Sequence, residues 1–311
     1  MISPVAWPGL YGAEHRRFRL AIIGDVRIEF RTSLPGQRFV DITRDSLVYA
    51  PFRVLVSGTA VNLASRAIEY FQQVRVFAKI GNDSFTPIIR EHVRKLGVGG
   101  RLVVAEDLPN GFTAMLHENP ENTRPEEATR LLIASQPAPS WALSSEDVHT
   151  FLPDLCDADM LFVDGYSLLS SSCRSALADA TRHARSIGIK IAVDLVPHDI
   201  DRRLALSDLM SILAAADLIV TEAGTVARLV ERPNARDRMA ELLPALDEAV
   251  PGRPLWLLRH GAGSMEKVLA YQHGGVLLHY QTGCSAWPES TGFGDRITAC
   301  ELYWWLSVAC G

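Results

Sequence analysis

No apolar run in the sequence approaches the roughly 20 residues that a membrane-spanning helix requires, so no such helix is expected. The first 19 residues also lack the basic start and continuous apolar stretch of a secretion signal. They carry Pro4, Pro8, Gly9 and Gly12, then the charged run Glu14-His15-Arg16-Arg17. Positive charge is not in excess. The 31 Lys and Arg against 36 Asp and Glu give a net charge of −5, which argues against general affinity for nucleic acid or anionic lipid and leaves only a local basic patch open. The cysteines, at positions 156, 173, 284, 300 and 310, form no Cys-x-x-Cys pair. Neither a zinc site nor a disulfide framework is indicated, and a reduced, cytoplasmic compartment is expected. Internal repeats and low-complexity tracts are absent as well. The composition is that of a globular chain, 48% hydrophobic and 22% charged, long enough to bury a sizeable core.

What is present is an alternation of short apolar strands and helical stretches. Residues 19–25, Arg-Leu-Ala-Ile-Ile-Gly-Asp, spell a buried strand that ends at a glycine turn. A helix is predicted over 58–71, a strand over 74–78 and a second helix over 84–96, closed by Gly97. Strands recur at 160–163, 189–193, 218–220 and 255–258. Helices separate them at 170–187, 203–215 and 222–248, the last with a break near Pro233. Apolar strands in this rhythm predict a doubly wound, mostly parallel α/β sheet covered on both faces, with right-handed crossovers.

Two segments break the rhythm. Residues 27–57 hold Ile28-Glu29-Phe30, Phe39-Val40-Asp41 and Arg53-Val54-Leu55-Val56, and residues 101–118 hold Leu102-Val103-Val104 and Phe112-Thr113-Ala114-Met115-Leu116. Both read as hairpin material and predict a small β-lid over the strand ends. The polar stretch 118–130, with Pro120 and Pro125, reads as an exposed loop.

The sharpest site signal is Glu289-Ser290-Thr291-Gly292-Phe293-Gly294-Asp295-Arg296-Ile297-Thr298, a glycine-rich turn opening into an apolar helix over 297–308. Backbone N–H groups at such a helix start are unpaired and the helix dipole favours an anion there. Gly292 and Gly294 permit close approach of the backbone to a phosphate. Asp295 has two readings on this local pattern: a residue that complements the dipole, or a general base beside the anion hole.

In order along the chain, these motifs resemble the ribokinase-like (PfkB) family of sugar and nucleoside kinases. The family's Asp-Thr-x-Gly-Ala-Gly-Asp is matched by residues 289–295. Its Gly-Gly-x-x-x-Asn helix start is matched by Ser57-Gly58-Thr59-Ala60-Val61-Asn62, and its Gly-Asp-Asp-x-Phe by Gly81-Asn82-Asp83-Ser84-Phe85. The opening strand ending Ile23-Gly24-Asp25, the segment Asp164-Gly165-Tyr166 and the strand Ala216-Asp217-Leu218-Ile219-Val220 complete the match, from about 19 to 311.

The resemblance implies one ribokinase-like domain over 1–311 and phosphoryl transfer from ATP, with Mg2+, to a hydroxymethyl group of a sugar or nucleoside. It puts the base on Asp295 and the anion hole on Gly292, Phe293 and Gly294. The acceptor contacts fall on Glu29, Gly58, Asn62 and Asp194, and the nucleotide contacts on Glu222, Gly261 and Thr291. Glu222 would also act indirectly on the metal. Asn62 can instead satisfy the backbone at a helix start, and Asp83 can be a helix cap. His260 reads more readily as a packed or solvent-facing histidine than as a catalytic one.

The chain departs from the family pattern at several points. Glu29 replaces an Asp, Ser57 replaces the first Gly of the pair, and Thr225 replaces the carboxylate that follows Glu222 by three residues. Arg259-His260-Gly261 stands where a Thr-x-Gly is usual. After Asp295 only 16 residues follow, where family members usually continue for several tens more. At least one of the large rings of Tyr303, Trp304 and Trp305 is therefore expected to lie on an exposed apolar patch, and a homodimer with 302–310 at its contact is expected. These departures keep open a weak or inactive ribokinase-like protein, or one with different chemistry on a similar ligand.

Overall fold

Side chains of the first strand, β1 (Arg19–Ile23), alternate between two hydrophobic layers. Leu20 and Ile22 belong to one, Ala21 and Ile23 to the other, as the two-residue period of a strand buried on both faces dictates. The computed structural model of the protein describes residues 16–42, 45–119, 130–195, 200–260, 265–283 and 293–309. After β1 come β2 (Arg27–Pro35), β3 (Phe52–Ser57), α1 (Thr59–Ala67), β4 (Gln73–Gly81), α2 (Thr86–Lys95) and β5 (Gly99–Ala105). The middle of the chain forms β6 (Gly111–Asn119), β7 (Arg130–Ala134), α3 (Ser145–Phe151), β8 (Met160–Val163), α4 (Ser171–Ser186) and β9 (Lys190–Leu195). The remainder forms α5 (Ile200–Arg203), α6 (Leu206–Leu213), β10 (Leu218–Glu222), α7 (Ala223–Leu229) and α8 (Met239–Ala249), then β11 (Leu255–His260), β12 (Met265–Gln272), β13 (Gly275–Gly283) and α9 (Phe293–Ala309).

Among the described residues, the large sheet has nine strands in the order β13-β12-β11-β10-β9-β8-β1-β4-β5. Every pairing from β11 to β5 is parallel, and β12 and β13 add an antiparallel edge. One face packs on α3, α4, α6, α7 and α8 around Phe151, Phe162's neighbour Leu161, and Trp256. The other packs on α1 and α9 around Phe71, Leu63 and Leu302. This is the doubly wound, mostly parallel sheet that the alternation predicts.

Local sequence explains the helices. α4 buries Cys173, Ala176, Leu177, Ala180, Thr181 and Ala184, the three- and four-residue spacing of a helix with one core face. α3 starts at a capping box in which the Ser144 side chain accepts the Asp147 N–H and Asp147 reaches back. α9 begins at Phe293, one turn before the apolar stretch read from the sequence, and buries Ala299, Leu302, Tyr303 and Leu306. Each large side chain buried this way contributes about 1.5–3 kcal/mol.

The second sheet is the β-lid, in the order β3-β2-β6-β7. Four expectations are corrected here. Phe39–Asp41 is a single 3-10 turn between β2 and β3, not strand material. Leu102-Val103-Val104 is not in the lid: β5 pairs parallel to β4 on the edge of the large sheet, because α2 between them is a crossover that returns the chain in the same direction. The stretch 118–130 is not wholly loop, since β6 runs to Asn119, Glu118 is buried, and β7 starts at Arg130; positions 120–129 lie outside the described residues. Finally, the rings of α9 do not form an open patch. Tyr303 is buried against Phe18, Tyr70 and Phe71, Trp304 and Trp305 are half-buried, and Lys190 sits over the Trp305 ring. Large exposed apolar side chains gather on the lid instead, at Phe52, Val54, Leu131 and Ile133.

Candidate active site

Parallel strands end on one edge of the large sheet, where open α/β sheets bind ligands. β1, β8, β9, β10 and β11 deliver Asp25, Asp164, Asp194, Glu222 and His260 to that edge, and α9 brings its first turn there.

On the lid side, β2 leaves the large sheet directly after Asp25 and carries its charged residues under the lid. Arg27 pairs with Asp25 and donates to the Thr113 hydroxyl at 3.3 Å. Glu29 is buried and accepts hydrogen bonds from Arg31 Nε at 2.8 Å and from the Ser57 hydroxyl at 2.9 Å. Asn62 Nδ2 donates to the same hydroxyl at 3.3 Å. Glu29, Ser57 and Asn62, drawn from β2, β3 and α1, thus form one cluster. Gly58 fits beneath it with φ +99°, and a Cβ there would fall 2.4 Å from the Asp25 carbonyl oxygen, so only glycine lets α1 start this close to the β1–β2 bend.

Asp164 lies behind this cluster, fully buried. Its Oδ2 accepts the Asp25 N–H at 2.9 Å and its Oδ1 accepts the Tyr166 N–H at 3.1 Å. Burial, reinforced by the Asp25 charge, pushes its carboxyl up to about 7. Burial and the Asp164 and Asp194 carboxylates also raise the Tyr166 phenol, which places Asp194 beside this group. Asp83 acts as a staple: it accepts hydrogen bonds from Phe85 N–H and from Asn110 at the turn before α2.

At the other half of the edge, α9 presents Phe293 N–H, Gly294 and Asp295 in its first turn. Burial pushes the Asp295 carboxyl up to about 6, against the downward pull of Arg259 and Arg66. A Cβ on Gly294 would come 3.3 Å from Arg259 Nη1, so the missing side chain leaves the turn close to that guanidinium. Glu222 ends β10 exposed, whereas Thr225 is buried inside α7 and faces no site. The His260 ring is packed on His279 at 5.6 Å. Thr291, Gly292 and Gly261 lie outside the described residues, as does the side chain of Phe293. The structure therefore brings Glu29, Gly58 and Asn62 together at the β1–β2 bend, sets Asp194 at the end of β9, and puts Phe293, Gly294 and Asp295 in the first turn of α9 beside Arg259, the register partner of Glu222.

Sequence reasoning gave no role to Asp25, Asp164, Arg259, Glu301 or Tyr280. Arg259 left a signal as the departure from the usual Thr-x-Gly. The carboxylates Asp25 and Asp164 stood inside the matched motifs but carry no position-specific pattern of their own.

Residues 42–303 match the family described as pfkB family carbohydrate kinase. The chain belongs to that family. Among solved structures, a PfkB family carbohydrate kinase from Listeria grayi is 17% identical with a TM-score of 0.70, over 93% of this chain and 88% of that one. The adenosine kinase of Anopheles gambiae, in complex with P1,P4-di(adenosine-5) tetraphosphate, is 15% identical with a TM-score of 0.70, over 93% and 89%. Ribokinase from Giardia lamblia is 14% identical with a TM-score of 0.68, over 94% and 83%. At these identities the likeness is one of fold. A search of curated protein sequences finds no match. No helix among the described residues is long and apolar enough to cross a membrane.

Proposed function

We propose that this protein is a small-molecule kinase that phosphorylates a hydroxymethyl group of a sugar or nucleoside, with Asp295 as the base. The observation that carries the reading is the first turn of α9, where a carboxyl raised to about 6 stands beside the outward N–H groups of a helix start. A base is most effective when its pKa lies near the working pH, and an alcohol needs one within hydrogen-bond reach. Asp295 takes the acceptor's hydroxyl proton as the oxygen bonds to phosphorus. The N–H groups of Phe293 and Gly294, with Gly292, stabilise charge on the phosphoryl oxygens.

A nucleotide's phosphates would meet the first turn of α9, where the glycine at 294 lets the Arg259 guanidinium lie 3.3 Å from where a Cβ would stand and so adds a cation to the turn. ATP supplies the phosphoryl group and leaves as ADP. Glu222 ends β10 on that side. For Mg2+ the fit is incomplete. Glu222 is a single exposed carboxylate, and no group of three or more His, Cys, Asp or Glu among the described residues is arranged to hold a metal.

On the acceptor half, Glu29, Asn62 and Asp194 offer the mixed donors and acceptors that suit a diol, and the lid excludes water from the transfer. A homodimer is part of this proposal, with the apolar lid strands as its surface in place of α9. The test is ADP release from ATP across a panel of sugars and nucleosides, comparing wild type with Asp295→Asn.

One observation favours a second reading, a ligand-binding protein with weak or no turnover. Glu29 is already engaged by Arg31 and Ser57, and the second carboxylate after Glu222 is a buried threonine. Calorimetric binding of a sugar or nucleoside with no ADP release from ATP would select it.

A further inference from the structure

The first turn of α9 is held from beneath by a charged network. Arg259, near the end of β11, donates through Nη2 to the Gly294 carbonyl at 3.3 Å and to the Thr298 hydroxyl, and its guanidinium lies 3.4 Å from Glu301 Oε2. Tyr280 on β13 donates its hydroxyl to the other Glu301 oxygen at 2.6 Å. The Thr298 hydroxyl also donates to the Gly294 carbonyl at 3.1 Å. The Arg259 and Glu301 side chains are 8% and 2% exposed, a depth at which charges persist only when paired and hydrogen-bonded. Two apolar residues would tie α9 to the sheet at least as well. The contacts of Arg259 converge instead on Gly294, the residue immediately before Asp295.

Among the described residues, the charges that act on Asp295 are few. Arg259 faces it from β11 and Arg66 from α1. Arg296, its neighbour on α9, turns away to Glu69 at 2.7 Å. Glu222, opposite Arg259 in the register of β10 and β11, is exposed to solvent. Glu301 on α9 contacts both Arg259 and, through its other oxygen, Tyr280 on β13.

We infer that Arg259 is the positioning residue of Asp295, and that Glu301 sets how much of the Arg259 charge the Asp295 carboxylate feels. The guanidinium fixes the backbone turn that aims the carboxylate, and its positive charge opposes the effect of burial on the proton. Glu301 offsets part of that charge at 3.4 Å, in surroundings where screening by water is weak. The two partners therefore act on Asp295 with opposite sign. A network that served only to hold α9 would loosen the turn when either partner was removed, and both losses would then let water in and move the carboxyl the same way.

The inference rests on the reading of Asp295 as the base, so its test uses no nucleotide and no acceptor. Ligand-free protein labelled with 13C at the aspartate side-chain carboxyl is titrated by NMR, and the Asp295 resonance is assigned by its loss in Asp295→Asn. Arg259→Met should move the Asp295 midpoint up by about one pH unit. Glu301→Gln should move it down by a similar amount, and the double variant should return it toward the wild-type value. An unchanged midpoint in the two single variants, or a shift of the same sign in both, overturns the inference. If Arg259→Met does not fold, the sign of the Glu301→Gln shift decides alone. Failure of the kinase reading shows elsewhere, as an absence of ADP release.

Discussion

The Asp164 carboxylate accepts the backbone N–H of Asp25 at 2.9 Å while the Asp25 side chain pairs with Arg27, so two acids from different strands share the bend where β1 becomes β2. The fully buried member holds its proton to about pH 7, far above an unfolded aspartate. Between those two limits the folded state binds more protons than the unfolded chain, and stability falls as pH rises through the window. Thermal unfolding followed from pH 5 to pH 8 should show this decline. Asp164→Asn should flatten it, since the amide carries no proton equilibrium.

Asp295 gives a second pH signature. As a base it works only when deprotonated, so turnover should climb as pH passes about 6 and level off above it. Asp295→Asn should lose about 10²–10⁴-fold in kcat while calorimetric affinity for the acceptor stays nearly unchanged. Undiminished turnover would remove Asp295 from the mechanism.

Gly58 is the tightest point of the acceptor half. With φ at +99° and a Cβ 2.4 Å from the Asp25 carbonyl, Gly58→Ala should cost roughly 1–3 kcal/mol in a urea unfolding series. It should also weaken acceptor binding, because it displaces the start of α1 that carries Asn62.

The exposed apolar side chains of the lid yield a prediction on assembly. Val54 and Ile133 are each 54% exposed on strands at opposite edges of the lid. If these strands form the contact of a homodimer, Val54→Asp with Ile133→Asp should convert the dimer to monomer in sedimentation velocity without lowering the melting temperature. Wild-type protein sedimenting as a monomer would remove the lid as the contact.

Much of the large sheet was legible because its signals are local. Runs such as Leu20 to Ile23 and Met160 to Val163 are apolar throughout, as strands buried on both faces must be, and α4 shows its core stripe in its spacing. The errors fall where partners are distant in sequence. Leu102-Val103-Val104 looks the same as a lid strand or as a sheet edge, and only its pairing with β4 decides. β12 and β13 escaped because Lys267, Gln272, His279 and Gln281 dilute their alternation on a half-exposed edge. The motif around Asp295 was readable residue by residue. The support beneath it was not, since Arg259, Tyr280 and Glu301 meet across three elements and share no spacing.

Tyr303 closes a cluster with Phe18 and Phe71, so the face of the sheet begun by the earliest strand is finished by α9. During synthesis β1, α1 and β4 therefore emerge long before the helix that seals them. Until α9 arrives, Leu20, Ile22, Leu63 and Phe71 lack the helix that covers them, and an apolar surface of that kind is where a partly made chain associates with another copy of itself.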